Sequence, residues 1–414
     1  MGSNNPTSST PSPNGPPSFP LDSLPDATDP NLILTHPTPA ERLRTWALTY
    51  PKWGPALSEK DYLTREAYLT TVPLARDGGI THWILTVAGL PGDERPVLSS
   101  CESLRKRAVC TTREGKVVEG VAHGIASVFT DPAFRGRGYA SRMMNELGKR
   151  LRGWQTGSAG SKTGGAGGAE EEEAVEKGRS LFSVLYSDIG KKFYAKHGWA
   201  PFASCHVAWK PKAVEGGVGL KTARVIGYHE LAELCAVDER LLRGSLARMA
   251  GDGKTHAAIL PELDTMLWHL MREDFMTKAI FGRTPAIRGA VAGEPGKRIW
   301  AVWMRGYYGG LNKMEGNTLH ILRVVVEDPA QPDEELVEGF KEIVQIAQAE
   351  AAEWKTQDVQ VWNPTPKLKG LVELCGIDFE FVDRDNDSIA SLMWYGEEAT
   401  EEIDWVANEK YAWC

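Results

Sequence analysis

Apolar residues recur along this chain at two spacings, and the alternation between them outlines a fold. "TPAERLRTWALTY" and "SEKDYLTREAYLTTV" carry apolar positions at helical spacing. Thr38 and Ser58 each stand three residues before an acidic residue, the sequence form of a capping box, so two helices are predicted to open the folded part, which begins near Leu32. "THWILTVAGL", "VLSSCESLRKRAVCTT" and "VVEGVAHGIASVFT" follow as strand-like segments, the last two joined by a turn at "REGK". "YASRMMNELGKRLRGW" then sets Tyr139, Met143 and Leu147 on one helical face, with basic residues near its end. "RSLFSVLYS" reads as a buried strand, and "DIGKKFYAKHGW" as a helix closed by Gly198.

The second half repeats this order. Helices "HELAELCAVDERLLRGSL" and "LDTMLWHLMREDF" precede a hairpin, "RIWAVWMRGYYG" and "NTLHILRVVVED". A long helix, the strand "DVQVWNP" and a final strand pair within "FEFVDRDNDSIASLMWYG" complete it. The pattern implies an α+β protein of two similar domains, each a mostly antiparallel sheet flanked by helices. The expected boundaries are a disordered leader over 1–30, a first domain over 31–213 and a second over 214–414. Residues 155–178, Gly-rich and ending in a four-glutamate run, read as a flexible insertion in the first domain, because that composition buries no core.

Composition agrees with two cores: 414 residues, 42% hydrophobic and 25% charged, are too many for one. The net charge of −8 and the lack of a concentrated basic surface argue against a nucleic-acid partner. No apolar stretch approaches the roughly 18 residues that span a bilayer. The Ser/Pro-rich start has no signal-peptide core, and Pro6 stands where a myristoylation motif needs Ser or Thr. Six scattered cysteines, with no CxxC pair or histidine cluster, indicate reduced thiols, no metal site and a cytoplasmic location. No feature specifies an oligomeric state.

One segment carries chemistry. "DPAFRGRG" lies where the strand "ASVFT" delivers the chain to the helix "YASRMM". Amides at a helix start lack partners and the helix dipole favours an anion. Gly136 and Gly138 let the main chain approach a phosphate, and Arg135 and Arg137 add positive charge. A pyrophosphate suits such a turn; an ordinary Gly-rich connector is the alternative.

Arg135, Gly138 and Ala140 match the R/Q-x-x-G-x-G/A motif of the GNAT N-acetyltransferase superfamily, and the segment resembles that family's motif A. Some 50 residues on, "LFSVLYSDIGKKFYAKHGW" is similar to motif B, with Ser187 in place of the usual Asn and Gly190 in place of Ala. The resemblance implies a GNAT-like fold and acetyl-CoA as co-substrate. It implies that Val128, Phe129 and Thr130 run beside the thioester arm, that Arg135, Gly136, Arg137, Gly138, Tyr139 and Ala140 hold the pyrophosphate, and that Ser187 and Gly190 border the pantetheine. "LSEKDYLTREAYL", "DGGITHWILT" and "SSCESLRKRA", with the Trp-rich second half, further resemble the fungal L-lysine N6-acetyltransferases of lysine catabolism. That likeness implies transfer of acetyl to the side-chain amine of free L-lysine.

Direct attack by an amine needs a neutral nucleophile, a polarised carbonyl and a proton for the leaving thiolate. The amine of lysine, of pKa about 10.4, is nucleophilic in only about one molecule in a few thousand at neutral pH, so a base is needed. Tyr194, matching the family's tyrosine, is the expected acid. For the base, His123 and Glu119 share strand parity with residues 125, 127 and 129, and His206 follows motif B. The second half has no Gly/Arg turn and is expected to bind no second CoA; its Asp383, Asp385 and Asp387 or its "VWNPTP" loop could close the acceptor pocket.

Overall fold

The structure is a computed structural model that describes residues 19–156, 178–214 and 219–413. The first part of the expected leader and most of the expected insertion lie outside the described residues.

Helix α1 (Pro39–Trp53) starts as the sequence demands: the Thr38 hydroxyl accepts from the Glu41 amide, and the Glu41 carboxylate accepts from the Thr38 amide. Helix α2 (Glu59–Leu69) is capped by Ser58 in the same way on one side, through the Asp61 amide. Strands β1 (Leu32–Thr35), β2 (Ile80–Val87), β3 (Ser99–Thr111), β4 (Val117–Phe129) and β5 (Ser180–Ser187) form the body of a first sheet. Helix α3 (Tyr139–Leu151) links β4 to β5 and makes them parallel, while β1 to β4 pair antiparallel.

The second sheet repeats this order with strands from the other half. Its strands β8 (Ala223–Ile226), β10 (Gly289–Ala292), β11 (Ile299–Gly306), β12 (Thr318–Val326) and β13 (Asp358–Trp362) lie side by side, with β12 and β13 parallel. Each sheet then receives its next strand from the opposite half. Strand β7 (Cys205–Trp209) inserts between β13 and β14 (Glu380–Asp383), and β15 (Ile389–Trp394) inserts between β5 and β6 (Ala200–Pro201). Strand β9 (Thr255–Ile259) also crosses over to pair with β3, and carries β16 (Ile403–Trp405) beside it. β14 and β15, read from sequence as one pair, therefore belong to different sheets. The sequence limit near residue 213 is not the limit between the sheets.

The exchange has an energetic counterpart. On β11, Trp300, Val302 and Met304 join a core that also holds Ala108, Phe182 and Val184 of the first sheet, while Ile299, Ala301 and Trp303 face a second core under the helix Asp333–Glu353. A strand that alternates between two cores is fixed on both faces. One shared core thus joins the halves, and a third, under α3, belongs to the first sheet.

Residues 19–30 are not a disordered leader. Leu24 is buried in the core under α3, with Phe19 and Ala27 packed against it. The chain also accepts bonds from α3 and the turn before it: Arg137 donates to the Leu21 carbonyl at 2.8 Å, the Tyr139 hydroxyl to Pro25 at 2.6 Å, and Arg142 to Ala27 and Leu32 at 3.1 and 3.2 Å. The Ser/Pro composition hid the one apolar anchor that decides the matter. Leu24→Ala should cost about 2–3 kcal/mol, read as a lower denaturation midpoint. A midpoint equal to that of the parent protein would show that this segment does not hold the core.

Candidate functional site

A cleft of about 1380 Å³ runs from the turn after β4 to the side chains of α2 and of the second half. It opens because β4 and β5 part. Their pairing ends at Ile125 opposite Leu185, yet β4 continues through Phe129. Across β3 the register slips: Glu102 faces Ala126 and Ser100 faces Phe129, so Ser127 and Val128 together oppose Cys101, and Ser127 takes a φ of 54°. This bulge turns β4 away from β5 and, among the described residues, leaves its edge without a partner strand over 126–129.

At the end of that edge the chain makes the Gly/Arg turn. Gly136 and Gly138 have φ of 79° and 84°, left-handed conformations open chiefly to glycine. Gly138 starts α3 with no side-chain cap among the described residues, and the residues that open this 13-residue helix line the cleft. Arg135 donates to the Thr130 carbonyl at 3.2 Å and lies over the Phe129 ring. Val128, Phe129, Thr130, Arg135, Gly136, Gly138, Tyr139 and Ala140 line the cleft. The donor set fits an acyl-CoA: amides and a guanidinium for phosphate, then an open strand edge for the amide-bearing arm. The matching helix of the second half, Asp333–Glu353, begins with Asp333, Glu334 and Glu335, which repel an anion there.

Three expected cofactor contacts fall elsewhere. Arg137 is turned to the Leu21 carbonyl and does not line the cleft. Ser187 is buried in its own turn, donating to the Gly190 carbonyl at 2.7 Å and accepting from the Ile189 amide at 3.2 Å; the short side chain stays local where an asparagine would reach out. Gly190, at φ 76°, donates its amide to the Asn386 carbonyl at 2.9 Å. Ser187 and Gly190 therefore shape a turn against which the loop of the second half docks, held also by the 2.7 Å pair of Lys191 and Asp385. Asp383, Asp385 and Asp387 line the cleft at this join.

Of the proton-handling candidates, Tyr194 lines the cleft. Burial, with smaller effects of Cys101 and Asp188, pushes its phenol well above the ordinary value. His206 also lines it, held neutral near pKa 4 by burial and by Arg384. His123 and Glu119 do not. Both sit on the stretch of β4 before the splay, His123 roughly 7 Å along the strand from Ile125. The His123 ring is fully buried, 3.3 Å from the Gln155 side chain and 3.5 Å from the Ser180 hydroxyl. Glu119 is paired with Arg243 at 2.8 Å and Arg107 at 3.8 Å, away from the cleft. Strand parity placed them on the right line but not at the right depth.

His123 has another consequence. Burial holds its pKa at about 4, so it is neutral in the folded protein where the unfolded chain, near 6.5, already takes up a proton. Its contribution is complete above that value and is lost as pH falls from about 6.5 towards 4. At pH 5 it amounts to about 2 kcal/mol against the fold. A His123→Gln variant should show a shallower fall of stability between pH 7 and 5 in denaturant titrations, and an unchanged slope would remove His123 as a source.

The far end of the cleft carries residues that the sequence reading did not single out. Tyr62, Arg65, Glu66 and Leu69, at i, i+3, i+4 and i+7 on α2, all face the cleft. Glu102 of β3 faces it from below. The Ser127 hydroxyl donates to its Oε2 at 3.0 Å, the Trp46 indole to Oε1 at 3.4 Å, and His82 Nε2 lies 3.2 Å from Oε1. Burial raises its carboxyl, but these neighbours outweigh burial and hold it below the usual carboxylate range. Trp268 and Arg272, one turn apart on the helix Leu263–Phe281, and Tyr308 close the same end from the second half. The signal was available: Glu66 lies within "LSEKDYLTREAYL" and Glu102 within "SSCESLRKRA", two of the segments that carry the likeness to lysine acetyltransferases.

The chain is similar in sequence to known proteins. A profile of the LYC1 GNAT-like C-terminal domain matches residues 206–414, starting within β7, the strand that joins the second sheet. A lysine acetyltransferase of Yarrowia lipolytica is 22% identical over 295 residues, 65% of this chain and 71% of that protein. An uncharacterized protein of Saccharomyces cerevisiae is 22% identical over 361 residues, 81% of this chain and 82% of its own length. Among solved structures, a GCN5-related N-acetyltransferase of Anabaena variabilis gives a TM-score of 0.46 at 12% identity, covering 88% of this chain and 73% of that one. The N-myristoyltransferase of Saccharomyces cerevisiae with bound myristoyl-CoA gives 0.47 at 10%, covering 93% and 82%. With its profile match spanning half its length, the chain belongs to the LYC1 GNAT-like family of acyltransferases.

Proposed function

We propose that this protein transfers an acetyl group from acetyl-CoA to the side-chain amine of free L-lysine. The observation that carries the reading is the continuity of one cleft: the open β4 edge under the Gly/Arg turn leads directly to a pocket where Glu102 and Glu66 face inward. An acyl group lying along 126–129 meets, at Ser127, a carboxylate suited to receive an ammonium group.

In the reaction the amine nitrogen bonds to the acyl carbon while the carbon–sulfur bond breaks. The ammonium releases two protons through Glu102 to solvent, one before attack and one as the amide forms; the Tyr194 phenol protonates the departing sulfur and takes one proton back from solvent, so one proton is released net. An amide of the open edge stabilises the oxygen that turns negative. Arg135, the glycines and the amides of α3 hold the phosphates and take no part in bond making.

The likeness to the Yarrowia lipolytica lysine acetyltransferase supports the choice of lysine. The test follows thiol release with acetyl-CoA and a panel of free amino acids, polyamines and lysine-containing peptides. Release with free lysine above all other amines is expected. Preference for a peptide or another amine would reassign the acceptor, and binding of acetyl-CoA with release to no amine would mark a non-catalytic acyl-CoA-binding protein.

A further inference from the structure

Four charged side chains stand at the acceptor end, and three have charged or strongly polar partners. Arg65 and Glu66 satisfy each other: two Arg65 bonds, at 2.9 and 2.6 Å, land on Glu66 Oε1, and a third reaches the Met276 sulfur at 3.4 Å. Glu102 is held by Ser127, Trp46 and His82. Arg272 is different. It is 6% exposed, lines the cleft, and among the described residues no carboxylate or carbonyl accepts from it; the Tyr308 ring lies 5.6 Å from the guanidinium, and Arg65, Glu66 and Tyr62 are within electrostatic reach.

A buried guanidinium with no anion is costly, and such a group is retained where an anion arrives. Its neighbours say which anion. At this end Arg65 bonds Glu66 Oε1, Arg272 supplies a separate cation and Glu102 a separate anion, and among the described residues Glu66 Oε2 accepts no hydrogen bond. Burial raises the Glu66 carboxyl, and Arg65, Arg272 and Glu102 all act on it. A free amino acid with a basic tail has the complementary pattern of a carboxylate, an adjacent ammonium, and a second ammonium at the far end. Arg384, a further guanidinium lining the cleft, donates to the Cys205 and Ser388 carbonyls.

We propose that Arg272 receives the α-carboxylate of the acceptor, with Glu66 Oε2 beside the α-ammonium, so that the site selects a free amino acid over a polyamine or a residue within a peptide. The helix Leu263–Phe281 of the second half thereby sets specificity for chemistry carried by the first. This rests on the acetyltransferase reading above.

The test compares L-lysine, L-lysine amide and cadaverine, which share the side-chain amine but differ in the carboxylate. In the unaltered protein, kcat/KM for L-lysine should exceed that for both analogues by about 10- to 100-fold, the range for losing a hydrogen-bonded charge partner. Arg272→Gln should lower kcat/KM for lysine by a similar factor through KM, leave acetyl-CoA KM unchanged, and leave cadaverine within about twofold. Arg272→Lys should recover part of the preference. Equal use of lysine and lysine amide by the unaltered protein overturns the proposal without recourse to any variant, and so does an Arg272→Gln protein that loses cadaverine and lysine alike. Both outcomes leave acetyl transfer itself standing; transfer to no amine at all would overturn the functional reading, and this proposal with it.

Discussion

Replacing Tyr194 with phenylalanine is expected to lower turnover by about 10² to 10⁴ while acetyl-CoA binding persists, because the change removes one hydroxyl and keeps the ring that packs in the cleft. The ring belongs to the core under α3, so loss of packing is not in question. Burial holds the phenol above its ordinary pKa, which keeps it protonated at every pH at which the protein works. That shift would make it a poor acid for a thiolate in water. A sulfur that leaves beside the same buried ring has its charged form disfavoured for the same reason, so the two shifts oppose each other in the proton transfer. Steady-state turnover with lysine, alongside acetyl-CoA binding by calorimetry, decides the matter. A Phe variant that turns over at the parent rate with tight acetyl-CoA binding would remove Tyr194 from proton transfer and leave solvent as the donor.

What the sequence displayed was local, and what it concealed was the pairing of distant segments. The Thr38 cap, the two left-handed glycines and the amphipathic α3 are each written within a few neighbouring residues. The strand exchange is not. An apolar strand carries no address, and "CHVAW" and "IASLMW" each cross to the other half's sheet. "THAAI" is too short and unalternating to announce a strand, yet it is buried on every residue between β3 and β16. Glu66 looks like the polar face of a surface helix until the helix Leu263–Phe281 is laid over it, with Arg65 reaching Met276 at 3.4 Å. His123 and Glu119 failed for a related reason: parity along a strand is legible, whereas the point at which β4 and β5 part depends on a bulge that no residue type announces.

That bulge also defines the second large effect. Glu102→Gln should lower kcat/KM for the amine by about 10² to 10³ with acetyl-CoA KM unchanged, the loss expected when a general base or an ammonium partner goes missing. Glutamine is nearly the same shape and keeps an oxygen for the Ser127 hydroxyl, so the bulge at Ser127 and the splay of β4 should survive it. What it removes is charge. Because its neighbours hold the Glu102 carboxyl below the usual carboxylate range, the parent protein carries this charge throughout the neutral and alkaline range, and any rise of kcat/KM from pH 7 to 9 belongs to the amine losing its proton. Glu102→Ala separates the two roles, since it deletes the bond to Ser127 as well as the charge. If Glu102 serves the amine, Gln and Ala should fall together in the amine constants, and Ala alone should weaken acetyl-CoA binding through the altered strand edge. If Glu102 only shapes the bulge, Gln should be close to the parent and Ala should lose both. A Gln variant with parent kcat/KM for lysine across pH 7 to 9 would exclude Glu102 from handling the amine.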